Sequence, residues 1–112
     1  MYELENVPVS CGLLPDELKQ REATILSDLA KATRGYVEMT DGFAFKVEPS
    51  DAVLRLLSEF IIAESQCCPF FQFRLVTLQK RREVWLEIRG PNDAKSLLRE
   101  ILPAPAFANA IR

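Results

Sequence analysis

Asp41-Gly42 sits between two short stretches in which apolar and polar residues alternate, Tyr36 to Met39 and Phe43 to Val47, and nothing else in the chain narrows the possible folds as far. An Asp-Gly pair in that setting is the strongest short signal for a two-residue β-hairpin, because both central residues of the favoured turn take positive φ. Phe43, Phe45 and Val47 then share one face of the second strand. A further hairpin is expected downstream, where Phe70 to Leu78 and Glu83 to Arg89 flank the basic run Lys80-Arg81-Arg82, a solvated tip. One face of that pair carries Phe71, Phe73, Leu75, Val84, Leu86 and Ile88; the other mixes Phe70, Gln72, Arg74 and Val76 with Trp85, Glu87 and Arg89.

Helical patterns precede both hairpins. Pro15-Asp16-Glu17 places proline and two acids where a helix start favours them. Leu14, Leu18, Ile25, Leu26 and Leu29 then form an apolar stripe, interrupted by Arg21-Glu22, and Gly35 supplies a stop. Pro49-Ser50-Asp51 opens a second helix running to about Gln66, with Pro69 beyond it. Its apolar residues Val53, Leu54, Leu56, Leu57, Phe60, Ile61 and Ile62 exceed a single stripe, so this helix is central or covered on two sides. Asn92 or Asp93 caps a short third helix that packs through Leu97, Leu98 and Ile101.

Residues 3–10 alternate weakly and contain Pro8, which confines any strand there to a sheet edge, delivering Cys11. The order (β)-α-β-β-α-β-β-α predicts an α+β fold, an antiparallel sheet of four or five strands with helices packed on one face. One domain spans residues 1–102, and residues 103–112 form a tail, frayed or docked on a partner. Helices on the Phe71, Phe73, Leu86 and Ile88 side leave Phe70, Val76 and Trp85 exposed on the other, as a homodimer interface or an apolar-ligand groove.

Composition removes several function classes. A chain of 112 residues buries enough core to need neither disulfide nor metal as scaffolding. Fourteen basic against sixteen acidic side chains lack the footprint of a nucleic-acid binder. The absence of histidine excludes imidazole-based triads and nitrogen-ligated zinc sites, and no other cluster suggests an enzyme. No leader pattern or membrane span is evident, so a cytoplasmic protein is expected, with its three cysteines as thiols.

The sharpest constellation is Glu64, Cys67 and Cys68. Spacings of three and four residues on a helix bring the carboxylate beside either thiol, and Cys11 offers a third sulfur. Three sulfurs and one carboxylate fill a tetrahedral shell for zinc or another soft metal ion, although adjacent thiols lack the usual two-residue gap between ligands. A helix C-terminus and a nearby carboxylate keep such thiols protonated, which disfavours a catalytic thiolate. The same cysteines are equally compatible with core packing beside Phe70 and Phe71, and a lone glutamate at such a position is ordinarily solvated.

Val9-Ser10-Cys11-Gly12-Leu13, Asp41-Gly42-Phe43-Ala44-Phe45, Glu64 to Phe73 and Val84 to Pro91 together resemble a family of small, uncharacterised bacterial proteins. The family's hallmark is a Glu-x-x-Cys-Cys-x-Phe run followed by a hairpin that ends in Gly-Pro. The resemblance, over residues 7–102, implies that Cys11, Glu64, Cys67 and Cys68 form a shared motif linked to heavy-metal handling. Gly12 departs from the small polar residue of that pattern and loosens the hold on Cys11. The expected function is therefore soft-metal or thiol-reactive binding or sensing through Cys11, Glu64, Cys67 and Cys68. The alternative is a metal-free module that dimerises or binds an apolar ligand around Trp85.

Overall fold

The structure, a computed structural model, describes residues 16–111. Three helices, α1 (Asp16–Ala32), α2 (Asp51–Cys67) and α3 (Ala94–Ile101), are interleaved with two hairpins, β1 (Thr33–Met39) with β2 (Gly42–Val47) and β3 (Gln72–Leu78) with β4 (Glu83–Arg89). The strands form one antiparallel sheet in the order β1-β2-β4-β3. This is the α+β arrangement expected from the alternation of helical and strand periods. Residues 3–10, the expected edge strand, lie outside the described residues.

Register decides where the core sits. Phe43, Phe45 and Val47 on β2 stand opposite Ile88, Leu86 and Val84 on β4, and all six are buried. Against them pack Ile25 and Leu29 of α1, Val53, Leu57 and Phe60 of α2, and Leu98 of α3, so the helices share one face. Ser50 starts α2 as expected, its hydroxyl accepting a hydrogen bond from the Val53 N–H at 3.2 Å.

The first hairpin turns one residue earlier than its Asp-Gly signal indicates. Thr40 and Asp41 make the turn, Met39 pairs with Gly42, and neither turn residue has positive φ. Gly42 is needed for closeness instead, since a Cβ there would collide with the Ile88 carbonyl on β4. Gly35 is not the helix stop either. Helix α1 ends at Ala32 and β1 begins at the next residue, with Gly35 inside the strand beside an irregularity in register. The Ala32 carbonyl left over at the helix end accepts from the Glu48 N–H at 2.9 Å. Asp93 precedes α3 in a left-handed conformation, φ 73°, and its side chain makes no capping bond.

The tail docks on its own sheet. Ala104–Phe107 form a 3-10 turn, and the Phe107 ring meets Tyr36, Phe43 and Phe45 edge-on at 5.4, 5.2 and 5.5 Å between centroids. The Tyr36 N–H then donates to the Asn109 carbonyl at 2.9 Å, and the Ile111 N–H donates to the Tyr36 carbonyl at 2.7 Å. Phe107 among small residues was the only sequence hint of this anchor.

Candidate functional site

In α2, Val53, Leu57 and Phe60 follow one another at spacings of four and three, and all are buried. Glu64 is the next position in that phase, which puts a carboxyl group where the helix repeat calls for an apolar one. It is 1% exposed, and among the described residues neither of its carboxyl oxygens is paired with an N–H or hydroxyl donor. A solvated glutamate, the ordinary expectation, is therefore wrong for this position.

Cys68 lies one turn further on as the C-cap of α2, and its N–H donates to the Glu64 carbonyl at 2.6 Å. Its side chain is 0% exposed and disulfide-bonded. The expectation of three free thiols thus fails at Cys68. Cys11 and the Cys67 side chain lie outside the described residues. Of the four expected ligands, the structure describes Glu64 and Cys68 and holds them at one end of α2.

A residue that the sequence reading passed over completes the local picture. Glu22 on α1 is in phase with Ile25, Leu26 and Leu29, the buried stripe of that helix, and its carboxyl group acts directly on that of Glu64. Burial first, and then the Glu22 carboxyl, push the Glu64 carboxyl up to about 8 from its ordinary 4.5. Burial and a neighbouring acid both favour the neutral form of Glu64, whose O–H can then donate to the Glu22 carboxyl group. The signal for Glu22 was present in the sequence as the interruption of the α1 stripe by Arg21-Glu22.

Glu22 also lines a groove between α1 and α2, with a volume of about 280 Å³. Ile25, Ile62 and Ala63 give it an apolar wall, and Arg21 pairs with Glu59 along it at 3.4 Å. Ile62, 61% exposed, is the one large apolar residue of α2 left open to solvent. Among the described residues, no three His, Cys, Asp or Glu side chains converge closely enough to hold a metal ion.

The residues expected on the uncovered sheet face divide. Val76 and Trp85 are paired neighbours there, half-buried, and the Trp85 Nε1–H donates to Glu83 at 3.0 Å. Phe70 is not on that face. It precedes β3, is 2% exposed and stacks obliquely on Phe71 at 4.5 Å between centroids. Leu75, expected in the core, is 40% exposed on β3, an edge strand of the sheet. Next to Trp85 the same open face carries an ionic chain, Arg74 to Glu87, Glu87 to Arg89 and Arg89 to Asp41.

Fold and site together define a small α+β domain with a buried, donor-free carboxyl group beside an oxidised cysteine. No helix among the described residues is long and apolar enough to cross a membrane. Compared with protein-family models, curated proteins and solved structures, the chain matches none.

Proposed function

We propose that this chain is a soft-metal or thiol-reactive binding domain, with Cys11, Cys67 and Cys68 as sulfur ligands and Glu64 as the carboxylate. The observation that carries this reading is the pair of Glu64 oxygens buried without a donor. A buried polar group left unpaired costs about 1–3 kcal/mol, and more when it is charged. A cation removes that cost, whereas a purely structural role is served better by leucine at the same position. Cys68 as a disulfide is the closed form of such a site. In a reducing cytoplasm a small dithiol supplies two electrons; the S–S bond breaks, each sulfur takes up a proton, and the dithiol itself becomes a disulfide. The ion then displaces protons from the thiols as it binds.

Native mass spectrometry of the reduced chain, with and without zinc or mercury(II), tests the reading. The expected result is one ion per chain, lost in Cys68→Ser and weakened in Glu64→Gln. No stoichiometric metal, together with thiols that fail to react with an organomercurial in the folded chain, overturns it.

The sheet face free of helices favours a second reading, in which two copies pair through Trp85 and Val76. The ionic chain from Arg74 to Asp41 rims that apolar patch on the same face. Its groups satisfy one another within the chain and so do not oppose the approach of a copy.

A further inference from the structure

The two edges of the sheet are finished differently. On β1 the register breaks between Thr33 and Gly35, and the tail takes up the outer side, where the Tyr36 N–H donates to the Asn109 carbonyl and the Ile111 N–H to the Tyr36 carbonyl. On β3 the register runs unbroken from Gln72 to Leu78, and among the described residues nothing pairs with the outer edge. An edge strand ordinarily carries a proline, a lysine or a bulge that discourages pairing with another chain. β3 carries none of these. Its one charged residue, Arg74, is turned to Glu87 of the same chain, and Leu75 and Leu78 lie exposed along it.

We propose that two copies of this chain join edge to edge, antiparallel, through β3 about a two-fold axis at Leu75, which extends the four-stranded sheet into one continuous sheet across both copies. This goes beyond both readings above, since it uses a strand edge and neither the cysteines nor the open face around Trp85. The strand's own sequence selects the axis. Directly opposed residues in an antiparallel pair share a face, so the axis passes through a residue, and Leu75 is the one that pairs all seven positions. Leu75 then meets Leu75 of the second copy, Phe73 meets Thr77, and Arg74 meets Val76. An axis through Arg74 opposes two arginines, and one through Val76 leaves Gln72 and Phe73 without a strand residue opposite. Charge agrees with the Leu75 register. Lys80-Arg81-Arg82 of one copy comes level with residues 68–70 of the other, at the end of α2, whose last turn holds no basic residue. A helix C-terminus carries partial negative charge, so each basic tip is matched to a helix end. A foreign extended peptide meets the same backbone, but a second copy also covers Leu75 on both sides of the axis and matches both helix ends at once.

Sedimentation equilibrium of the full chain is the first test, with a dimer expected. Leu75→Lys sets two like charges against each other at the axis and is expected to weaken the dimer by about a hundredfold or more, as is Leu75→Glu. Mixing those two variants is expected to restore association as a heterodimer, because opposite charges then face each other. Trp85→Glu, on the open face, is expected to leave the edge dimer in place. Circular dichroism reports whether each variant keeps its fold. Should a Leu75 variant unfold, hydrogen exchange of the unsubstituted chain decides, with protection of the β3 amides expected to rise with protein concentration. A monomer at high micromolar concentration overturns the proposal, and β3 amides protected equally at every concentration would then assign the edge to residues 1–15 of the same chain. A dimer that survives Leu75→Lys but dissociates in Trp85→Glu also overturns it, in favour of pairing through the open face. Mixed Leu75 variants that stay monomeric overturn the axis.

Discussion

A carboxyl group that stays protonated near neutrality ties stability to pH in the direction opposite to a salt-bridged acid. In the unfolded chain Glu64 ionises around 4.5, and in the folded, metal-free chain only around 8. Between those values the unfolded state has released a proton that the folded state keeps. Folding stability from Glu64 is therefore full below about 4.5 and falls as pH rises, by roughly 1.4 kcal/mol per pH unit where the difference is one whole proton. Glu64→Gln removes this dependence, because the amide cannot ionise and its N–H can donate to the Glu22 carboxylate. Urea unfolding of the chain from pH 5 to 9 is expected to show the variant gaining on the unsubstituted chain by on the order of 4 kcal/mol between the acid and the alkaline end, with little difference near pH 5. The position of Glu64 was legible in the sequence: it falls four residues after Phe60, in phase with Val53 and Leu57. What pattern alone did not reveal was Glu22, since the two acids lie 42 residues apart, on helices whose facing sides only the packing decides.

At the level of elements, the two hairpins, the starts of α1 and α2 and the overall order follow from periodicity and from proline and serine placement. The misreadings have local causes. The Asp-Gly pair identified the right hairpin for the wrong reason, because Gly42 answers to the neighbouring strand rather than to the turn. Phe70 looked like a strand residue by alternation, but the strand starts at Gln72, after the turn through Pro69 and Phe70. The tail was the least legible element, since the aromatic group that anchors it to Tyr36, Phe43 and Phe45 is assembled across the whole chain. Arg99 adds to that anchor by lying over both Phe43 and Phe107, each at 4.9 Å from the ring centroid. Phe107→Ala is expected to cost about 3 kcal/mol and to release the bonds beyond it. Hydrogen exchange should then quicken at the Tyr36 and Ile111 amides before it does at the β2–β4 ladder; unchanged protection at both amides would show that the two hydrogen bonds hold the tail without the ring.

Seen whole, the molecule has two unlike sides. One is a layer of helices over an aromatic core; the other is open sheet with Trp85 on β4 beside Val76 on the edge strand β3, and an ionic chain next to them. If two copies associate through that patch, Trp85→Glu places a charge at the centre of the interface. Sedimentation equilibrium is then expected to show a dimer for the unsubstituted chain and a monomer for the variant. A monomer for both at high micromolar concentration would remove the pairing through Trp85. The metal reading is independent of that outcome, because Glu64 and Cys68 sit on the helix side.

The direct join of α1 to β1 at Ala32 and Thr33 bears on how the first helix can move. With no slack between helix and strand, and with the Ala32 carbonyl bonded to Glu48, α1 has no pivot about which to swing clear of α2. Helix and first strand therefore move as one piece, and any opening of the α1–α2 seam has to drag the edge of the sheet along with it.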